Sequence, residues 1–348
     1  MRVLQLGPYP PPHGGVQSNL VGIRTYLRKR NVPCSVINIT RHRKPDTDDV
    51  YYPKNAVELI RLLWRLEYDI LHLHLGGVLT NRLLALSAVC CLMGKGETVL
   101  TFHSGGYPSS PEGITAKPFS LRGFVLRRFD RLIGVNPEII GFFKKLGVQE
   151  NRMRLIYPHA FSAGDDSVEV PECLDRFFRE HSPVFISVGL LESEYDLPLQ
   201  IEAIGRVRET LLHAGLILIG SGSLEQDLRA RIAAKMYGEH MLLTGDLAHA
   251  VTMRCIGQAT AMLRTTLYDG DAVSVREALH LGTPVMASEN GMRPAGVKLI
   301  PKQDLKALCA AMLEAAKSGR TATNTATPDD SNLEAVFKLY QELVGPVG

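Results

Sequence analysis

The residues best suited to chemistry lie together in Leu267 to Ala287, LYDGDAVSVREALHLGTPVMA. Asp269 falls in a short acidic loop containing Gly270, and Glu277 follows on the helix that this loop opens. A helix start leaves its first amides without partners, and the macrodipole adds positive potential there. Asp271 or a neighbour is expected to cap the helix, turning the N–H groups of Ala272, Val273 and Ser274 outward to an anion such as a diphosphate. Side chains lean toward a helix's N-terminus, so Glu277, about two turns in at roughly 1.5 Å per residue, leans back toward that anion. Carboxylates on either side of an anion site suit a nucleotide sugar, which has hydroxyls at both ends and negative charge between them.

Other residues of interest sit where strands end. Val3 to Gly7 reads as a buried strand and is followed by a proline-rich loop, Gly14 and Gly15, and a helix. Strand, glycine pair and helix form an anion-binding layout, though a simple turn has the same letters. Gly220 and Gly222 follow the run LILIG in a similar way and are counted with the residues that would bind the nucleotide sugar. His72, His74 and His103 lie at or near strand ends, where open α/β sheets place their ligand crevice. Each of the three also has an ordinary reading as a hydrogen-bonded core residue, and His103 is the strongest functional candidate. Residues 104 to 118, rich in Gly, Pro and Ser, read as a lid or acceptor loop.

The elements that must position these groups alternate strand and helix twice along the chain. The apolar runs in DILHLHL, ETVLTF, PVFISV and LILIG read as strands buried on both faces. Two doubly wound α/β units follow, an N-terminal domain over 1–165 and a C-terminal domain over 166–325, with a last helix in 326–348 expected to return to the first domain. With 348 residues, 45% hydrophobic and 22% charged, the chain can fill two cores. The N-terminus runs directly into a strand without a secretion signal, so the expected location is the cytoplasm. The six cysteines have no metal-ligand spacing and are expected to be reduced and mostly buried.

The net charge of +3 hides a division. Residues 1–160 carry 22 Lys and Arg against 11 Asp and Glu, and the rest carry 17 against 25. The basic clusters RTYLRKR, TRHRK and LRGFVLRRFDR suit an anionic membrane surface or a lipid-linked pyrophosphate, or form a solvated basic face. Nucleic acid is disfavoured because no recognised binding motif accompanies the charge.

These features together resemble glycosyltransferase family 4, retaining enzymes of GT-B architecture in which two Rossmann-like domains face a cleft. The resemblance rests on Gly14-Gly15 after the first strand, on His103 and on the run from Asp269 to Ala287. GTPVMA is similar to the family's G-x-P-V-φ-A, and Asp269-x7-Glu277 to its E-x7-E. The resemblance implies that Glu277 holds the donor ribose, that Asp269 contacts the transferred sugar and that His103 lies near that sugar. It implies that amides at Gly15, Ala272 and Val273 hold the diphosphate. The family's Arg and Lys after the first strand of the second domain are replaced by Leu190 and Tyr195, leaving Arg276, Arg293 or a metal as substitutes. Asp269-Gly270-Asp271 also spells the DxD metal signature of the other glycosyltransferase architecture, which has a single sheet domain.

The resulting expectation is a cytoplasmic, peripherally membrane-bound, metal-independent retaining glycosyltransferase. It would move a sugar from a UDP- or GDP-sugar to a glycan or lipid-linked acceptor, in cell-surface polysaccharide synthesis. The alternatives are a degenerate member that binds a nucleotide sugar without turnover and a nucleotide-sugar 2-epimerase of the same plan.

Overall fold

GLILI is apolar throughout and ILHLHL alternates leucines with His72 and His74, yet both are buried along their whole length as interior strands covered on two faces. A computed structural model describes residues 1–10, 14–40, 48–158, 168–268, 272–291, 293–318 and 329–345. The chain divides into two units, Met1–Ala160 with Asp329–Gly348, and Phe161–Pro328.

In the first unit the elements are β1 (Val3–Gly7), α1 (Gly15–Lys29), β2 (Cys34–Asn38), β3 (Val50–Tyr51), α2 (Ala56–Arg65), β4 (Ile70–Leu75), α3 (Asn81–Met93) and β5 (Glu97–Phe102). They continue with α4 (Pro111–Thr115), α5 (Leu121–Leu126), β6 (Arg131–Gly134), α6 (Pro137–Lys145) and β7 (Met153–Leu155). The seven-stranded sheet has the order β3-β2-β1-β4-β5-β6-β7, and every neighbouring pair is parallel. The order reverses between β1 and β4, so the carboxyl ends of these two strands mark the crevice of a doubly wound sheet.

The second unit runs α7 (Glu172–Glu180), β8 (Val184–Val188), α8 (Leu197–Arg208), β9 (Gly215–Ile219), α9 (Glu225–Ala233), β10 (Met241–Gly245) and α10 (His249–Gln258). It continues with β11 (Ala261–Arg264), α11 (Val273–His280), β12 (Val285–Ser288), β13 (Val297–Ile300) and α12 (Leu305–Ser318). Its parallel six-stranded sheet has the order β10-β9-β8-β11-β12-β13, with the reversal between β8 and β11. The last helix, α13 (Ser331–Val344), packs on α1 of the first unit through Leu333, Val336, Leu339 and Tyr340.

Several expectations change. Residues 104 to 118 are not loop throughout. A 3₁₀ turn at Tyr107–Ser109 leads into α4, Ser110 caps that helix through the amide of Gly113, and Tyr107 and Ala116 are buried. β3 and β13 add an edge strand to each sheet that the hydrophobic pattern does not reveal. The cysteines are free, but only Cys34, Cys90 and Cys255 are buried, and Cys173 is exposed. Among the described residues, no helix is long and apolar enough to cross a membrane, and no group of three or more His, Cys, Asp or Glu is placed to hold a metal.

Candidate functional site

In the second unit the strand-order reversal lies where β8 and β11 end, and the groups gathered there belong to the loops after those strands and to α11. Ala272 stands at the N-cap of α11 with no capping side chain; Val275 and Arg276 donate their amides to its carbonyl. The amides of Val273 and Ser274 precede that first helical turn and have no intrahelical acceptor. Ser274 Oγ donates to the carbonyl of Val188, the last residue of β8, at 3.3 Å. This contact fixes the start of α11 against the end of β8. Asp269, Gly270 and Asp271 lie outside the described residues.

Glu277 is buried, at 5% exposure, among Val275, Ala278 and the rest of the apolar face of α11. A buried carboxylate needs hydrogen-bonded company, and His249, the first residue of α10, places Nε2 2.7 Å from its Oε1. The carboxylate, helped by the side chain leaning toward the start of α11, is an acceptor suited to a vicinal diol. His249 is raised above its ordinary pKa of 6.5 by that hydrogen bond, against the opposing effect of burial.

A cation that sequence reading passed over stands beside them. Arg264 closes β11, is 6% exposed, donates to the Val188 carbonyl at 2.8 Å and lies 4.6 Å from the ring centre of Tyr195. Tyr195 occupies the position at which the sequence resemblance leads one to expect Lys, and a guanidinium now lies over it. The loops after β8 and β11 are sutured by Thr265, whose hydroxyl donates to the Tyr195 carbonyl, and by the Leu267 amide, which donates to the Glu194 carbonyl. Arg293 donates to the Ser288 carbonyl at 3.0 Å and to Thr266 Oγ1 at 2.7 Å, so its guanidinium braces this loop. Arg276 is half-buried on α11.

Gly220 and Gly222 have a backbone reason to be glycine. A Cβ on Gly220, at φ +135°, would meet the Gly189 carbonyl oxygen at 1.8 Å, and one on Gly222 would meet the Leu191 backbone at 2.5 Å. Their loop crosses tightly under the loop that follows β8, with Leu191 N donating to Ser221 O at 3.0 Å. This crossing by itself requires glycine at both positions.

In the first unit Gly14 is the N-cap of α1, with extended backbone and no side-chain cap, and Gly15 is the first helical residue. The opening amides of α1 therefore lie just beyond β1, at the strand-order reversal. Beside them runs a line of histidines. His72 and His74 of β4 are fully buried, their rings 4.0 Å apart, and His103 follows β5 with its ring 5.7 Å from His74. His72 is held by Tyr340 Oη at 2.6 Å and Thr101 Oγ1 at 2.7 Å. His74 Nδ1 lies 3.4 Å from His103 Nε2.

Burial pushes His72 and His103 down to about 3 and His74 well below its ordinary value, so all three are neutral near pH 7. The tautomers follow from partners. The Gln5 amide satisfies its neighbours when its nitrogen donates to His74 Nε2, at 3.1 Å, and its oxygen accepts from Arg24 N. His74 then carries its proton on Nδ1 and donates to His103 Nε2. His103 keeps its proton on Nδ1 and offers a hydrogen-bond donor.

Residues 13–159 match the family model described as Glycosyltransferase Family 4, and residues 175–299 the one described as Glycosyl transferases group 1. No curated protein sequence matches the chain. Among solved structures, the chain is similar to a glycosyltransferase from Rickettsia africae ESF-5, with 12% identity, TM-score 0.68 and 99% of each chain covered. It is similar to the catalytic domain of starch synthase IV from Arabidopsis thaliana bound to ADP and acarbose, with 11% identity and TM-score 0.70, covering 99% of this chain and 100% of that one. HepE from Anabaena in complex with UDP-glucose is 15% identical, with TM-score 0.64, covering 99% of this chain and 95% of that one. At such identities the structural likeness is one of fold. Two doubly wound parallel sheets and a family match in each unit define a glycosyltransferase of GT-B architecture. Within that class the chain is family-4-like.

Proposed function

We propose that the chain is a retaining glycosyltransferase that takes a UDP- or GDP-sugar in its second unit and transfers the sugar to a glycan or lipid-linked acceptor. We place it in cell-surface polysaccharide synthesis, at the cytoplasmic face of the membrane. The observation that carries this reading is Glu277, a buried carboxylate beside a helix start at the strand-order reversal, in a chain of a glycosyltransferase family. Glu277 accepts hydrogen bonds from the ribose hydroxyls, and the amides of Val273 and Ser274 receive the diphosphate. Arg264 supplies positive charge near that diphosphate in place of the cations absent at Leu190 and Tyr195. The solved complexes of HepE with UDP-glucose and of the pneumococcal O-GlcNAc transferase GtfA with UDP and GlcNAc favour a nucleotide-sugar donor.

Chemically, the arrangement asks little of side-chain bases. The departing phosphate oxygen takes the acceptor's proton on the face from which it leaves, so configuration is retained, and Asp269 positions the transferred sugar. His103, neutral with its proton on Nδ1, donates to a sugar hydroxyl. Charge on the leaving diphosphate is met by amides and a guanidinium, which makes a metal unnecessary; activity that EDTA abolishes and manganese restores would reverse this assignment.

The test is calorimetry with UDP- and GDP-sugars followed by an assay of nucleotide release, on the wild type and Glu277→Ala. Loss of ribose hydrogen bonds to a carboxylate, about 1.5–3 kcal/mol each, weakens the donor roughly tenfold to a hundredfold or more. Unchanged affinity and turnover in Glu277→Ala would sink the reading. Leu190 and Tyr195 favour a second reading, a nucleotide-sugar binder without turnover, and donor binding without any nucleotide release would select it.

A further inference from the structure

The first unit exposes large apolar side chains in one short segment. Phe119 is 98% exposed, Leu121 60% and Phe124 52%. Single exposed apolar residues are ordinary, but a contiguous group marks a contact surface. Leu121, Phe124 and Arg128 follow at spacings of three and four, so they share one side of α5 and its continuation. The Arg128 guanidinium lies 4.7 Å from the centre of the Phe124 ring.

Beside Phe124 opens a cavity of 340 Å³ lined also by Arg127, Arg128 and Arg152, with no carboxylate among its lining residues. Two of the guanidiniums are held in place: Arg127 donates to the Leu146 carbonyl at 2.7 Å, and Arg152 to the Arg127 carbonyl at 3.2 Å. The segment from Lys117 to Arg131 brings Lys117, Arg122, Arg127, Arg128 and Arg131 against Asp130 alone. An acidic protein partner would use the cations but leave Phe119 without a designated pocket. A lipid surface uses both, since apolar tips enter the acyl boundary while guanidiniums stay at phosphate level.

We infer that Phe119, Leu121 and Phe124, with Arg127, Arg128 and Arg152, dock the first unit on a bilayer rich in anionic phospholipid, a headgroup phosphate entering the arginine-lined cavity. This rests on the proposed membrane association and gives it an address on the fold. The surface would bring the enzyme to the layer in which a lipid-linked acceptor resides.

The experiment is flotation of the full chain with vesicles of phosphatidylcholine alone and of phosphatidylcholine mixed with phosphatidylglycerol, without donor or acceptor. Binding is expected to the anionic vesicles only and to weaken with added salt. Phe119→Ser lowers the partition roughly tenfold by removing a buried aromatic, and Arg128→Gln lowers it about fivefold by removing one surface charge. Both side chains are exposed, so circular dichroism and donor calorimetry on the same samples should match the wild type. Equal binding to neutral vesicles, no binding, or binding that ignores both substitutions would overturn the inference, as would preference for a nucleic-acid duplex over the vesicles. A protein that binds donor but not vesicles refutes this surface and leaves the transferase reading standing.

Discussion

His249 Nε2 and Glu277 Oε1 lie 2.7 Å apart, joining the first residue of α10 to the middle of α11. The carboxylate is 6% exposed and the imidazole 46%. The pair therefore straddles the boundary between core and solvent. The native state holds the His249 proton more tightly than the unfolded chain, whose histidine titrates near the ordinary 6.5. Its contribution to stability is fully present below that value and is lost as pH rises through the raised native value. Denaturant titrations between about pH 6 and pH 9 should give the wild type a falling component that His249→Gln lacks. Parallel pH profiles for the two proteins would mean that the proton is not shared in this way.

Arg264 is expected to act on turnover more than on donor affinity. Charge on the diphosphate grows as the bond to the sugar breaks, and removing one donor aimed at such charge costs about a hundredfold or more in rate. Arg264→Gln should lower single-turnover rates by about that factor while the donor dissociation constant moves only a few-fold. Loss of the Val188 contact makes a thermal melt a necessary control. An unchanged rate in a folded variant would return the leaving-group role to another group.

The two parallel sheets were legible in the sequence because interior strands such as Val184–Val188 and Gly215–Ile219 carry apolar residues on both faces. The edge strands were not. In β13 Lys298 and Leu299 are exposed, and β3 is two residues long, so neither leaves a hydrophobic signature. Residues 104 to 118 read as a loop because Ser110 and Pro111 are common loop residues, whereas here they serve as the N-cap and first residue of α4. At the site, Glu277 could be singled out from the loop-to-helix pattern, but its partner His249 is a contact between two helices that no local spacing encodes. Arg264 was hidden at the end of an apolar run. Gly220 and Gly222 resemble an anion loop in composition, yet the crossing of two backbones asks for the same residue.

The buried histidines should make the first unit sensitive to acid. Burial holds His72 and His103 down to about 3 and His74 below its ordinary value. An unfolded chain takes up these protons as pH falls below about 6.5, whereas the native state resists well below that value, for His72 and His103 until about 3. Stability is therefore present above the ordinary value and is lost on acidification, by about 1.4 kcal/mol per pH unit for each histidine. Denaturant titrations between about pH 6 and pH 4 should show a slope shallower by about one proton in His74→Asn than in the wild type. An equal slope would show that His74 is already protonated in the native protein.

The hydrogen bond between His72 Nδ1 and Tyr340 Oη, 2.6 Å long, is a buried polar anchor of α13 on the first unit, beside the exposed Arg154–Glu342 ion pair at 3.1 Å. Around it Leu333, Val336 and Leu339 pack against Ile23, Tyr26 and Leu27 of α1 and the strand residues of the same core. Tyr340→Phe keeps the ring and its edge contact with His72 but leaves an imidazole nitrogen without a partner in a fully buried position. The expected loss is about 1–3 kcal/mol, the usual cost of an orphaned buried polar group. Pairing Tyr340→Phe with His72→Leu tests the cause, because removing both partners should cost less than the two single losses together. Additive losses would show that the hydrogen bond contributes nothing to the docking of α13.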